Sequence, residues 1–234
     1  MTEWPGQERR HPPLSSPTWA VRAPLAKWLE EEARAGSGSY RVLDVGCGPK
    51  PYYPFFADRA SEYIGVDVVE NPAAELRGAV EALPVDDASF DVVLCTQVLE
   101  HCDDPAQAVR ELRRVTAPGG RVLASTHGTQ IYHPSPQDYW RWTHAGLRRL
   151  FEEHGEWERV DVQAGAGTAT CLAMLLGTYV EIALKRAGVA RLALGPVWLL
   201  NRAAGALDAR SELLREPRPG SLTANFHAVA TVPA

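Results

Sequence analysis

The stretch Val42-Leu43-Asp44-Val45-Gly46-Cys47-Gly48 decides the fold of this chain. Its first four residues are an apolar run around a single acid, which predicts a short buried strand. The two glycines that follow predict a sharp turn, because a residue without a Cβ allows the backbone to bend tightly and to approach a ligand closely. A strand that ends in such a turn is typical of a ligand site at the edge of a sheet.

Strands and helices alternate along the chain on either side of this stretch. A spacing of about 20–30 residues between successive strands predicts an α/β fold with a mostly parallel, doubly wound sheet and helices on both faces. We expect an N-terminal flexible, extended arm over 1–17 and one domain over 18–234, with a helical insert at about 165–215. The predicted strands cover 41–45, 62–68, 90–95, 121–125, 157–163 and 223–232, and the predicted helices cover 18–34, 105–115 and 144–154.

Composition limits the class of protein. The chain has 234 residues, 45% of them hydrophobic and 23% charged, as in an ordinary globular protein. Its net charge of −5 argues against general attraction to nucleic acid, so we expect no nucleic-acid partner. The four cysteines form no C-x-x-C pair and are expected to be reduced thiols in a cytoplasmic protein. Residues 1–17 lack the apolar core of a signal peptide.

A second acid points to the kind of ligand. Asp67 ends the second predicted strand, where a carboxylate can accept both hydroxyls of a ribose. Pro51 stands at the third glycine position of a dinucleotide fingerprint, which disfavours a pyrophosphate and therefore an NAD-dependent oxidoreductase. The acid Asp44, entering the turn, suits a cationic ligand. S-adenosylmethionine fits these features, because it carries an ammonium, a sulfonium and a ribose but no phosphate.

An ordered set of motifs then resembles a known family. The chain looks like a class I S-adenosylmethionine-dependent methyltransferase of the small-molecule type, similar to methyltransferase type 11. The resemblance covers about 40–163 and the last strand, and implies a seven-stranded Rossmann-like sheet with a reversed last strand. The motifs are Val42–Gly48, Gly65-Val66-Asp67, Glu81-Ala82-Leu83-Pro84, Phe90-Asp91-Val92-Val93, Val98-Leu99-Glu100-His101, Leu112-Arg113-Arg114-Val115 and Pro118-Gly119-Gly120-Arg121.

The resemblance implies a role for each matching residue. The glycine turn would line the methionine part of the cofactor, Asp44 would neutralise its ammonium, and Asp67 would hold the ribose. Two departures stand out: Lys50 replaces the third glycine of the methyltransferase motif, and Ala79 replaces an aspartate that often binds the adenine amine. The implied cofactor-binding residues are Asp44, Gly46, Cys47, Gly48, Asp67, Val68, Val80, Glu81, Thr96 and Gln97.

The acceptor is expected beside the loop that follows the predicted strand at 121–125. Residues 126–143 combine two histidines with four aromatic residues, which suits a loop that folds over a substrate or, alternatively, a hydrophobic plug. A base is required only if the acceptor loses a proton. The predicted bases are His133 and His127, with His101 as a third candidate, and the predicted substrate contacts are Tyr132, Tyr139, Trp140 and Arg141.

The pair Glu100-His101 has two interpretations. Some quinone-type O-methyltransferases of this superfamily hold a divalent metal with a similar Glu-His pair. Their additional upstream carboxylate falls at Gln97 here, so we favour the alternative that the pair organises the loop, and we expect no metal.

The insert between the last two strands is rich in Ala and Leu. Three interpretations remain open: a cap over the acceptor pocket, a homodimer face, or a peripheral membrane contact through 170–205 with basic residues at the lipid headgroups. The sequence therefore predicts methyl transfer from S-adenosylmethionine to a small-molecule acceptor, most simply a hydroxyl. A non-catalytic or differently reactive S-adenosylmethionine-binding protein is the alternative.

Overall fold

The computed structural model describes residues 4–36, 38–134, 136–209 and 217–234, and it has the predicted α/β architecture. Strand and helix bounds are within a few residues of the predicted ones for most elements. The strands are β1 (Tyr40–Val45), β2 (Ala60–Asp67), β3 (Leu76–Arg77), β4 (Phe90–Thr96), β5 (Thr116–His127), β6 (Arg159–Ala164) and β7 (Asn225–Thr231). The helices are α1 (Gln7–Arg10), α2 (Trp19–Arg34), α3 (Tyr53–Phe56), α4 (Pro105–Val115), α5 (His144–His154), α6 (Thr168–Arg186) and α7 (Leu194–Asp208).

The seven strands form one sheet in the order β3-β2-β1-β4-β5-β7-β6. The first five strands in this order are parallel, whereas β7 pairs antiparallel with both β5 and β6, which confirms the reversed last strand. The strand order reverses beside β1. Ligands of open α/β sheets bind outside the carboxyl ends of the strands at such a switch point, so the sheet places the glycine turn where a ligand site is expected.

Separate apolar clusters cover the two faces of the sheet. Leu43 and Val93 belong to a cluster with α4 and α5, and Val42 and Leu94 belong to a cluster with α2. The alternation follows from the period of two along a strand. Both α4 and α5 begin at capped residues: Asp104 Oδ1 accepts a hydrogen bond of 3.0 Å from the Gln107 amide, and Thr143 caps α5 in the same way.

The N-terminal arm differs from the predicted extended segment. It contains the one-turn helix α1, and its described part packs on the domain. The buried Arg10 donates hydrogen bonds to the carbonyls of Pro5 and Pro51, and the Trp4 indole donates to the Lys50 carbonyl. The prolines of the arm limit regular structure, but they do not prevent these long-range contacts from fixing it.

The insert is helical, as expected. Helix α6 leads through a 3₁₀ turn at Ala190–Ala193 into α7. The two helices pack against each other, with Gly177 facing Val197, and Asn201 on α7 donates hydrogen bonds to the carbonyls of Leu14 and Ser16 in the arm. The part of the predicted insert at 210–216 lies outside the described residues.

Candidate functional site

The turn after β1 has the backbone geometry that its glycines allow. Gly46 has a φ of +65°, and its amide donates a hydrogen bond of 2.8 Å to the Val66 carbonyl at the end of β2. A Cβ at position 46 would lie 2.4 Å from Cγ2 of Val98, so a larger residue does not fit. Lys50, at the position of the third glycine of the motif, has a φ of +51° and keeps the left-handed conformation without being glycine.

Asp44 lies beneath this turn and is almost completely buried. Its Oδ2 accepts a hydrogen bond of 2.7 Å from the Tyr63 hydroxyl. Burial raises the pKa of Asp44 to about 7, although the Tyr63 hydroxyl and the charge of Lys50 oppose the rise. Lys50 is itself buried and bonds Glu75 at 2.5 Å. Asp44 therefore belongs to an internal polar cluster, and a role toward an ammonium stays a prediction.

Asp67 lies at the end of β2 and is hydrogen-bonded to the glycine turn. Its Oδ2 accepts hydrogen bonds from the Gly48 amide at 3.2 Å and from Nδ2 of Asn71 at 2.9 Å. Asn71 Nδ2 also donates to the Gly48 carbonyl at 2.7 Å. The tips of β1 and β2 are thus linked through one carboxylate, and its predicted role toward a ribose stays a prediction.

A cavity of about 180 Å³ opens at these strand ends. Gly46, Val98 and the half-exposed Val68 all line it, so it offers apolar surface next to a backbone turn. Five of the predicted site residues line it. The lining residues are Val45, Gly46, Val68, Gly78, Ala79, Val80, Glu81, Val98, His101, Cys102, Asp103 and Pro136.

Two residues predicted to contact the cofactor, Glu81 and Cys47, have structural roles of their own. Oε1 of Glu81 accepts a hydrogen bond of 2.9 Å from the Asp103 amide, just before α4. Burial raises the pKa of Cys47 to about 12, so its side chain is a protonated thiol that packs beside the turn. Cys47 is thus a packing residue rather than a nucleophile.

The turn after β4 positions Val98 under the glycine turn. Thr96 ends β4, and the next residue, Gln97, has a φ of +58°. The Gln97 side-chain amide donates hydrogen bonds to Ser125 Oγ at 3.0 Å and to Asn225 Oδ1 at 2.8 Å. These bonds join the tips of three strands and hold an unfavourable backbone conformation, which fixes the neighbouring Val98.

His101 is the predicted base that lines the cavity. Its Nδ1 contacts the carbonyl oxygen of Gln137. Because a carbonyl can only accept, Nδ1 carries the proton in the neutral ring, and Nε2 is left with its lone pair. His101 is therefore able to accept a proton at Nε2.

His127 lies behind His101, beside a buried acid. Its Nε2 is 3.2 Å from Oε1 of Glu100, and the two histidine rings have centroids 6.3 Å apart. Burial, together with the charge of Arg141, lowers the pKa of His127 to about 3, and burial raises the pKa of Glu100 to about 7. His127 is thus a neutral ring near neutral pH.

Glu100 also organises the loop that follows β5. Its backbone carbonyl accepts hydrogen bonds from the amides of Tyr139 and Trp140, and its Oε2 accepts one of 2.8 Å from Thr126. These contacts agree with the loop-organising interpretation of this acid. Among the residues that the structure describes, no group of three or more His, Cys, Asp or Glu side chains has an arrangement that would hold a metal ion.

His133, one of the two bases that the sequence favours, is exposed on this loop. Its ring centroid is 5.7 Å from that of His101. Its amide donates a hydrogen bond of 2.8 Å to Asp138, and the same acid pairs with Arg141. Arg141 is therefore engaged within the loop, and its predicted contact with a substrate remains untested.

The aromatic residues of the loop differ in exposure. Trp140 and Trp142 stack with centroids 5.7 Å apart, but Trp142 packs on the core whereas Trp140 is partly exposed. The Trp140 indole donates a hydrogen bond of 2.9 Å to the carbonyl of Cys102, a residue of the cavity wall. Tyr132 and Tyr139 are more than half exposed. The loop thus presents aromatic surface beside the cavity.

Sequence reasoning missed several residues of this region, and three of them support predicted ones: Tyr63, Asn71 and Val98. Each acts through a contact with a residue that was predicted, namely Asp44, Asp67 and Gly46. Only the register of β1 against β2 could have indicated Tyr63, because it places Asp44 beside Gly65 and so brings Tyr63 close.

Comparisons with known proteins agree with this geometry. Residues 43–124 match the model of the methyltransferase domain family. A ubiquinone biosynthesis O-methyltransferase of Pseudomonas aeruginosa is 35% identical over 114 residues, which are 42% of this chain and 48% of that protein. A malonyl-[acyl-carrier protein] O-methyltransferase of Erwinia pyrifoliae is 42% identical over 112 residues, 42% of this chain and 41% of that protein. The chain thus spans about half the length of these curated relatives.

A solved structure extends the likeness to nearly the whole fold. It is a 1,6-didemethyltoxoflavin-N1-methyltransferase of Burkholderia thailandensis with bound 1,6-didemethyltoxoflavin and S-adenosylhomocysteine. The two structures superpose with a TM-score of 0.57 at 16% identity, over 93% of this chain and 81% of that one. At this identity the likeness shows a shared fold.

Proposed function

Because the chain contains a class I S-adenosylmethionine-dependent methyltransferase domain, we propose that it transfers a methyl group from S-adenosylmethionine to a hydroxyl of a small molecule. The products would be the methyl ether and S-adenosylhomocysteine. The observation that carries the choice of a hydroxyl is His101, a histidine on the cavity wall whose Nε2 has no hydrogen-bond partner among the described residues.

The residues at the strand ends fit the cofactor. Gly46 has no Cβ and leaves its backbone exposed to a ligand, whereas any side chain would collide with Val98. Val68 and Val80 offer apolar contacts for an adenine, and Asp67 lies at the strand end where a ribose would be held. When bound, S-adenosylmethionine supplies a methyl group on a positively charged sulfur, which leaves as a neutral thioether.

A base is needed because a neutral hydroxyl is a weak nucleophile. In the proposed reaction the acceptor hydroxyl gives its proton to Nε2 of His101 as the oxygen is methylated. The Gln137 carbonyl keeps the proton of the ring on Nδ1, so the lone pair of Nε2 is available to accept a proton. The neutral His127 behind it adds no competing positive charge, since burial holds its pKa low.

The loop after β5 supplies the surface for the acceptor. The Trp140 ring, fixed through Cys102, and the exposed ring of Tyr139 flank the same wall as His101. Flat apolar surface of this kind suits an aromatic or otherwise apolar acceptor. Both curated relatives carry names of O-methyltransferases, which supports oxygen as the methylated atom.

The proposal is tested by two measurements on the purified chain. Calorimetry with S-adenosylhomocysteine tests the cofactor site without any acceptor. Incubation with methyl-labelled S-adenosylmethionine and a panel of phenols, catechols, alcohols and amines then tests the reaction. We expect binding of S-adenosylhomocysteine and label in phenolic products. Binding without label transfer to any hydroxyl would contradict O-methylation, and the absence of binding would contradict the whole proposal.

A further inference from the structure

The α6–α7 hairpin leaves large apolar side chains in solvent. Of these, Leu172, Leu176 and Tyr179 lie on α6 at a spacing of three and four residues, which places them on one stripe of the helix. Each is at least half exposed. Contiguous exposed apolar surface marks an interaction site. Further exposed apolar residues toward the turn between the two helices are Val189, Leu192, Leu194, Trp198 and Leu199, whereas Leu207 is exposed at the far end of α7.

The tip of the hairpin, residues 185–194, combines this apolar surface with positive charge. Val189, Leu192 and Leu194 are exposed there, with Leu192 64% exposed. Lys185, Arg186 and Arg191 lie among them, also exposed. Residues 168–208 carry four Lys or Arg against two Asp or Glu, whereas the whole chain has a net charge of −5. The tip itself carries three Lys or Arg and no Asp or Glu, so it is a positive segment on an otherwise acidic protein.

We propose that the hairpin tip binds the surface of an anionic membrane. Exposed leucines next to lysine and arginine are the composition of an interfacial helix, in which apolar side chains enter the headgroup region and cations meet anionic lipids. Trp198 lies one turn beyond the tip, with the Arg202 guanidinium 5.5 Å from its ring. An indole is well suited to the boundary between water and lipid.

A second copy of the chain fits this surface less well. A two-fold interface brings each patch against itself. Lys185, Arg186 and Arg191 would then face the same cations of the other copy, with only Glu181 near them in sequence to compensate. Anionic headgroups have no such conflict.

The hairpin lies on the membrane rather than crossing it. Within the described residues, α6 is the one helix whose length and composition would permit crossing. Its first turns, however, are bound to the protein: the Thr170 amide donates a hydrogen bond of 2.8 Å to Asp208, and Cys171 and Met174 are buried against the domain. A helix held in this way cannot be surrounded by lipid.

Co-sedimentation with vesicles tests the proposal without cofactor or acceptor, so its result is independent of the proposed reaction. We expect the chain to sediment with an equal mixture of phosphatidylglycerol and phosphatidylcholine but not with phosphatidylcholine alone. Leu192→Glu and Arg186→Glu should each weaken binding by about tenfold or more. Leu207→Glu is the matched apolar control near the other end of α7, and Arg149→Glu, on α5, is the charge control; neither should weaken binding.

Two outcomes would overturn the proposal. One is equal or absent sedimentation with the two kinds of vesicle. The other is a dimer in solution that Leu192→Glu dissociates while vesicles bind neither form, which would assign the tip to a second copy. Circular dichroism of each variant confirms that a loss of binding is not a loss of folding.

Discussion

The Arg10 guanidinium donates a hydrogen bond of 2.5 Å to the carbonyl of Pro51. This bond ties the N-terminal arm to the loop after β1, and the Trp4 indole makes a second tie at Lys50. The arm therefore packs against the loop that directly follows the glycine turn. The glycine turn is held from both ends, by β1 and by the arm.

We expect Arg10→Ala to weaken the binding of S-adenosylhomocysteine about tenfold, because the loop loses a buried charged hydrogen bond worth on the order of 2 kcal/mol. Calorimetry measures the affinity, and urea unfolding measures stability. Arg9→Ala, at an exposed neighbouring position, is the matched control and should bind as the wild type does. Equal affinity of the two variants would show that the arm does not hold the turn.

Gly46→Ala should abolish measurable binding of S-adenosylhomocysteine, because the new Cβ would collide with Val98 in a left-handed turn. Gly119→Ala is a matched control: it has a φ of +70° and open space around its Cβ. It should cost about 1 kcal/mol in stability and leave affinity unchanged. Wild-type affinity in Gly46→Ala would remove the turn from the cofactor site.

His101→Gln should lower kcat by about 10² to 10⁴ while the affinity for S-adenosylhomocysteine stays within about twofold, because only proton removal is lost. The loss should be smaller with an acceptor that is already ionised at the assay pH. His133→Ala, on the exposed loop, should lower kcat much less. A larger loss in His133→Ala would make His133 the base, as the sequence predicts.

Glu100→Gln should make stability less dependent on pH. Burial raises the pKa of Glu100 to about 7 from a usual value of 4.5, so between these values the folded state holds more protons than the unfolded state. Stability from this group therefore falls as pH rises through that window, by on the order of 3 kcal/mol. Urea unfolding at a series of pH values measures the fall.

The variant should lose less stability than the wild type between about pH 5 and pH 8, although the buried Asp44 keeps part of the dependence. Glu153→Gln, which changes an exposed acid on α5, is the control and should run parallel to the wild type. If the stability of Glu100→Gln changed with pH just as that of the wild type does, Glu100 would be charged in the folded state at all of these pH values.

The sequence was sufficient for the elements that local patterns define. Helix α4 runs from Pro105 to Val115 as predicted, since Asp104 caps it and proline favours its first turn. Strand β1 could be predicted from its apolar run and the glycines that follow it. Strand β5 is longer than predicted because the chain enters the sheet at Thr116, directly after α4, so the Pro118-Gly119-Gly120 turn lies within the strand's bounds.

Contacts between distant parts of the chain could not be predicted from local sequence patterns. Arg10 and Pro51 are 41 positions apart in the sequence, and no local pattern indicates the hydrogen bond between them. Which of the three histidines is proposed as the base also depends on such a contact, because the Gln137 carbonyl holds the proton of His101 on Nδ1 and leaves the lone pair on Nε2. The sequence predicted which residues lie at the strand ends but not the bonds that decide their protonation.

The two ends of the helical insert meet at the sheet. The Gly165 amide donates a hydrogen bond of 2.7 Å to the Asn225 carbonyl, and Ala164 pairs with Phe226, so β6 and β7 form a hairpin whose loop contains the insert. Loop closure depends only weakly on length when the ends are already paired. Changes of length at the 3₁₀ turn between α6 and α7 would therefore leave β6 and β7 in register, so the outer surface of the insert can vary while the strand ends around Gly46 keep their places.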